Sequence, residues 1–397
     1  MSAAADARSL AGKALEDALR DARARSRAWT FDLGDSQWRV PQQAGVNLPA
    51  WELAHIVWFG EFWVLRGPHA LDDQGFVRAA LPPRISGPDP VFDSARLGHA
   101  ARWTEALPSR AQLADQLDAQ LEAVVTHLTA AEGSDDALYF HRLALFHEDM
   151  HAEAFAWMRS TLGYPAPGGL ALPRLAGART SIPVAAADVR IGWPEERRGF
   201  FFDNERDASF VRLEAYEIDS TPVSAGDFLK FVESGGYDEP AWWPGEAGRW
   251  RKSTGMSHPA RWRRTPTGWQ TRWFDQWLPL DPDQPAIHLS AWEAEAYALW
   301  SGRRLPSAAE WEHAACSEAS FEWGRSVWEW TASDFAPYPG FAPGPYRDYS
   351  APWFGDHREL RGGAFATHER MHDVRYRNFF QARRHDVFAG FRTARTL

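Results

Sequence analysis

His147 and His151 stand four residues apart in "FHEDMHAEAF", within a stretch that has no Gly or Pro from Asp135 to Leu162 and reads as one long helix. Positions i and i+4 share a helix face, with Cβ atoms roughly 5–6 Å apart, so both imidazoles can converge on one metal ion. The same string spells H-E-x-x-H, in which a zinc protease would use Glu148 as general base. That chemistry needs a third ligand downstream. No Gly-His continuation follows, and no Glu or His comes after Glu153 until Glu195. The protease reading fails there.

A third histidine sits in a similar setting. His55 belongs to "NLPAWELAHIVWFGEFWVLR", where Pro49 suits a helix start and only Glu52, His55, Glu61 and Arg66 interrupt an apolar surface. A helix that is hydrophobic nearly all round is buried, and a buried imidazole needs a partner. The expectation is a three-histidine metal site, His55, His147 and His151, with positions left open for substrate. The bland alternative is core histidines bonded to neighbouring carboxylates. His127 and His141 are the competing ligands. His141, six residues before His147, is turned off that face at about 100° per residue, so His127 is the better substitute. Three neutral imidazoles serve zinc and iron alike, so the residues alone leave the metal open.

Four helices must position these groups: Arg8–Phe31, Pro49–Arg66, Arg110–Leu128 and Asp135–Leu162. Helices of this length suggest a bundle with ligands projecting inward. The Gly/Pro/Ala-rich stretch from Gly163 to Pro183 is the expected boundary. This gives a bundle over 1–165, a linker over 166–183 and a second domain over 184–397. Beyond the boundary, β-like pieces ("DVRIGW", "FVRLEAYEI", "ELRGGAFA") and two modest helices lie among Gly-, Pro- and Trp-rich loops. The fold class expected is therefore α followed by α+β, with the second part rich in loops.

The 397 residues leave ample chain for two or three domains, and 22 tryptophans point to large aromatic clusters. The single Cys316 excludes an internal disulfide framework and paired-thiol chemistry within one chain. A formal charge of −10 argues against a general nucleic-acid or membrane-surface role. The opening "MSAAADARSLAGKALEDALR" has no apolar signal core, and the run around His55 is too short to span a bilayer. A cytoplasmic protein is expected. From Arg358 to Leu397 nine Arg face four acids, which serve either salt bridges or recognition of an anionic substrate group.

The segments "FFDNER", "PVSAGDFLKFVESGGYDEPAWW", "SAWEAEAYALWSGRRLPSAAEWEHAA", "VWEWTAS", "LRGGAFAT" and "RYRNFF…FAGFR" resemble the formylglycine-generating-enzyme/C-type-lectin-like fold along most of Gly192–Arg395. His55 with His147-x-x-x-His151-x-Glu153 resembles the DinB-like four-helix bundle fused to that fold in non-heme iron sulfoxide and selenoxide synthases. Formylglycine-generating enzymes proper use a cysteine pair that this chain lacks. The resemblance implies Fe(II) on the three histidines, O2 as co-substrate, hercynine as acceptor and an active site at the domain junction. It implies Tyr346, in "GPYRDYSAPWFG", as proton or hydrogen-atom donor, with Tyr349 as the second phenol, and it places Asn378 and Phe379 beside hercynine. Glu153 is expected to be a packing carboxylate or to support a ligand from behind.

Departures from the family bear on the donor. Ergothioneine synthases of the mycobacterial type read "RNWDHPYRR" where this chain has "RNFFQARRH". The Asp that grips γ-glutamylcysteine becomes Phe380, an Arg survives as Arg384, and the Gln of "HxxQHxE" becomes Met150. "HEDMHAE", "VFDSARLGHAARW" and "FAGFRTA" look more like selenoneine synthases, whose donor is a selenosugar. C–Se bond formation between hercynine and a selenosugar is therefore expected. The alternatives are an ergothioneine-type enzyme using γ-glutamylcysteine or cysteine, and a binding module with a structural metal and no catalysis.

Overall fold

The computed structural model describes residues 6–175, 177–206 and 209–397, so the first five residues of the N-terminal stretch discussed above lie outside it. The chain divides into two compact units. One runs to Gly168 and includes Arg198–Phe200; the other comprises Gly169–Arg197 and Phe201–Leu397.

The first unit is built on four long helices, Gly12–Ala28, Pro49–Gly60, Arg110–Ala130 and Asp135–Leu162. Local chemistry sets their ends. Pro49 occupies the first turn, and Ser109 and Gln112 form a reciprocal capping box. Ser134 caps the fourth helix, which stops at Gly163 in the left-handed region (φ 69°). The first helix is shorter than expected, because Ala7–Ser9 forms a separate 3-10 turn ahead of it. The second does not run unbroken to Arg66. It changes at Gly60 into a π-helical turn, Glu61–Leu65, a form that often accompanies functional sites. At Gly60 the third helix comes close: an added Cβ would meet the Gln120 side-chain amide, which would have to move. Leu15, Leu19, Val124, Leu128, Leu138 and Leu145 fill one core between helices.

The second unit has short strands and long loops, as its texture implied. A four-stranded sheet has the order Asn378–Phe380, Arg358–Arg361, Trp328–Asp334, Ala389–Gly390, antiparallel except for the last pair. A three-stranded sheet joins Ser181–Val184, Tyr216–Asp219 and Ala394–Thr396. Its first strand begins inside the stretch read as linker, because Ile182 and Val184 bury against Tyr216 and Ile218. The two expected helices form at Ala225–Glu233 and Ala291–Trp300. Two more, Glu246–Thr254 and Ala308–Ser317, and the meander Trp262–Pro279 went unread. Three of the nine C-terminal arginines form buried ion pairs: Arg361 and Arg377 with Glu359, and Arg392 with Glu329. No helix among the described residues is long and apolar enough to cross a membrane.

Candidate metal centre and tyrosine loop

His55, His147 and His151 each offer a ring nitrogen within 4.8 Å of the others. His147 Nε2 lies 3.1 Å from His55 Nε2 and 3.2 Å from His151 Nε2. The far nitrogens of two rings are held. His55 Nδ1 donates to the Phe92 carbonyl at 2.6 Å, and His151 Nδ1 lies 2.6 Å from Glu52 Oε1. A carbonyl can only accept, so the His55 proton is on Nδ1; the carboxylate does the same for His151. Both rings then turn Nε2 toward His147 Nε2, so three ring nitrogens meet at hydrogen-bond range. One proton can bridge only two of them, whereas a metal ion would accept a lone pair from each. Ligand nitrogens about 2.1 Å from a shared ion and at near right angles would have the observed spacing. The donor set therefore fits a metal.

The surroundings keep two of the three rings neutral. His55 and His147 are fully buried, and desolvation holds both well below the usual imidazole range, so they enter coordination unprotonated. Trp51 stacks on His55 (5.0 Å, 9°) and Phe59 on His147 (3.5 Å, 4°), fixing ring planes.

The second helix positions His55 by gripping residues 84–92. Glu61 accepts the backbone N–H groups of Arg84, Ile85 and Ser86. Trp58 and Arg66 hold Asp89, Trp51 Nε1 donates to Val91 O, and His55 closes the series at Phe92 O. On the fourth helix, Glu148 faces away from the triad. It takes both its hydrogen bonds from buried Arg23, at 2.8 and 3.1 Å, so it is no general base. Arg23 also donates to Gln120. That clamp sets the rotation of the helix carrying His147 and His151.

The competing histidines lie outside that cluster. His127 Nδ1 and His141 Nε2 hydrogen-bond to each other at 3.1 Å, and burial, with His127 beside it, pushes His141 down to about 4. Glu153 is buried, Met150 is half-buried immediately before His151, and neither belongs to the triad. Sequence reasoning named Glu52 without giving it a role and missed the Phe92 carbonyl. A carboxylate three residues before a buried histidine was the available signal for the first; a backbone acceptor leaves none.

In the second unit, Tyr346 and Tyr349 lie on one loop with ring centroids 6.0 Å apart. Tyr349 stacks on Phe202 (4.4 Å), and its hydroxyl lies 3.3 Å from that of Tyr376. Asn378, Phe379 and Phe380 form the outer strand of the four-stranded sheet, and Phe379 stacks on Phe335 at 4.0 Å. Tyr349 and Phe379 are neighbours, with ring centroids 5.9 Å apart. Arg384 is engaged: both arms of its fork reach Asp386 at 2.6 Å, and its guanidinium covers Phe380.

A helical unit that gathers three imidazoles, followed by a loop-rich α+β unit, defines a two-part class of protein. The pattern of the DinB superfamily matches residues 18–155, and that of the sulfatase-modifying factor enzyme 1-like domain matches 178–327 and 326–397. Along nearly its whole length the chain is 30% identical to a hercynine oxygenase of Mycobacterium tuberculosis, covering 94% of this chain and 97% of that one. The hercynine oxygenase of Mycolicibacterium smegmatis is likewise 30% identical, over 87% and 90%. A formylglycine-generating enzyme of Streptomyces coelicolor is 25% identical over 51% of this chain and 83% of its own. The chain belongs to the hercynine oxygenase family, whose members are oxidoreductase-type enzymes.

Proposed function

We propose that this chain is an O2-dependent non-heme iron synthase that joins hercynine to a selenosugar through a C–Se bond. The observation carrying the catalytic part is the convergence of three imidazole nitrogens with two of their rings locked from behind. Three histidines on one side of an ion leave its other positions for substrates, as in iron oxygenases rather than closed structural sites. Membership of the hercynine oxygenase family supports hercynine as acceptor. Ferrous iron bound there would supply the one-electron chemistry that O2 needs. The reaction balances without an external reductant: the imidazole C–H and the selenol Se–H are lost, one oxygen atom forms the selenoxide, and the other leaves as water.

The chain's own residues would divide the remaining work. Tyr346 supplies a proton or hydrogen atom through its O–H, with Tyr349 as the second phenol. Asn378 and Phe379 face hercynine, whose quaternary ammonium prefers an aromatic surface to a carboxylate alone. For the donor, Phe380 removes a carboxylate that would bind an ammonium, and Asp386 already holds the Arg384 fork. An amino-acid thiol loses contacts at both ends. Each charge-assisted contact is worth roughly 1.5–3 kcal/mol, about ten- to hundredfold in affinity. A sugar needs neither.

Side-by-side kcat/KM values with hercynine test the donor. A 1-selenosugar is expected to exceed γ-glutamylcysteine and cysteine by at least about tenfold. Equal or better use of γ-glutamylcysteine would make this an ergothioneine-type enzyme. Phe380→Asp should raise use of the amino-acid thiol; an unchanged preference would remove Phe380 from the discrimination.

A further inference from the structure

One carboxylate ties both ends of the tyrosine loop. Asp203 lies in "FFDNER", a segment to which the catalytic reading gives no task. Its Oδ1 accepts the Ser350 hydroxyl, and its Oδ2 accepts the Gly344 N–H at 3.2 Å. Between these two points run Tyr346 and Tyr349, with the Tyr349 N–H returning to the Tyr346 carbonyl at 3.2 Å. Phe202, next to Asp203, is the ring on which Tyr349 stacks. Carboxylate and aromatic shelf thus come from one short segment.

That segment is itself held fast. Glu205 accepts the Phe202 N–H at 2.8 Å, and the Glu205 carbonyl accepts from Trp193 N–H at 2.6 Å. The Asn204 carbonyl accepts from Arg377, whose other arm reaches Glu359 at 2.8 Å. Asp203 is only 7% exposed. Burying a carboxylate costs several kcal/mol unless its lone pairs are satisfied, and here the loop ends satisfy them. An irregular seven-residue loop would otherwise sample many conformations. A proton donor displaced by about 1 Å can cost about a hundredfold in rate.

We propose that Asp203 is a positioning residue that, through Ser350 and Gly344, fixes the Gly344–Ser350 loop and so sets where the Tyr346 hydroxyl is delivered. This rests on the reading of Tyr346 as the donor. Asp203 touches no reacting atom in this account; it acts through the loop.

Ser350→Ala is the gentler probe, with Asp203→Asn as a second and Ser350→Thr as the rescue. Amide hydrogen exchange on the full-length protein needs no substrate. Ser350→Ala and Asp203→Asn are expected to speed exchange across 344–350 by about tenfold or more, with other segments unchanged and Ser350→Thr near the parent. Unchanged exchange in that segment overturns the clamp. In turnover with hercynine and the selenosugar, Ser350→Ala is expected to lower kcat about tenfold with KM for hercynine within about twofold. The double variant Tyr346→Phe/Ser350→Ala is expected to be no slower than Tyr346→Phe alone. Multiplying losses would overturn the proposal and leave Tyr346 standing. Full turnover by Tyr346→Phe would instead remove the donor reading, and the proposal with it.

Discussion

What each ligand does with its far nitrogen decides how well the three histidines can bind. His151 leans on a charged partner, Glu52, whereas His55 leans on a neutral carbonyl. A carboxylate behind a metal-bound imidazole fixes its tautomer and raises its basicity, and losing such partners typically costs about 10- to 100-fold in metal affinity. Glu52→Gln should therefore weaken Fe(II) binding by about tenfold or more in chelator competition, with the helices intact by circular dichroism. Unchanged affinity would show that Glu52 only packs. His141 gives a second outcome. Its folded-state value, about 4, lies below the ordinary imidazole range, so the unfolded chain takes the proton first. The stability this group contributes is present above about pH 6.5 and is lost as pH falls toward 4. NMR of labelled imidazoles should find His141 uncharged at about pH 5, where an ordinary histidine is mostly protonated. Titration near 6.5 would mean that this pocket is wet. The sequence revealed the triad because i,i+4 spacing and an apolar surround are local signals. It ranked His127 and His141 behind the triad but could not show that they bond to each other, since that pairing depends on how the third and fourth helices meet.

The helices place the ligands through buried polar contacts as much as through apolar packing. Arg23 and Glu148 are both nearly inaccessible and bidentately joined, with Gln120 and the Leu117 carbonyl completing the network. Removing one partner of such a pair leaves a buried charge uncompensated, at a cost of about 3–5 kcal/mol. Arg23→Leu is expected to destabilise the first unit by about that much in thermal or denaturant unfolding, and Arg23→Leu/Glu148→Leu to recover most of it. A loss below about 1 kcal/mol would show the pair to be solvated. The fourth helix was legible to the residue because Ser134 and Gly163 mark both ends. The second was over-extended, because an apolar run gives no sign of a change from α to π hydrogen bonding. The grip of that helix on residues 84–92 was equally hidden. It consists of backbone N–H and carbonyl groups meeting side chains up to 40 residues away.

Over the whole molecule, the two units differ in what their sequences disclose. Helical periodicity in the first predicted the bundle directly. In the second, strands of two to seven residues lack a readable alternation, so the resemblance carried the fold and the meander Trp262–Pro279 went unseen. Part of the C-terminal arginine excess has a structural use, since three of the nine, Arg361, Arg377 and Arg392, are locked to buried glutamates and not offered to an anion. The chain belongs to the hercynine oxygenase family, and its departures from that family around Phe380 and Arg384 bear on the donor. In the proposed reaction the three histidines carry iron that couples hercynine, O2 and a selenol. The most direct measurement of that reaction is oxygen uptake by Fe(II)-loaded protein on adding hercynine and a 1-selenosugar, with product followed by mass spectrometry. One O2 is expected to be consumed per C–Se bond formed, with neither iron nor uptake in a folded His147→Ala variant. No uptake by the iron-loaded protein with any selenol or thiol donor, or full turnover by His147→Ala, would contradict it.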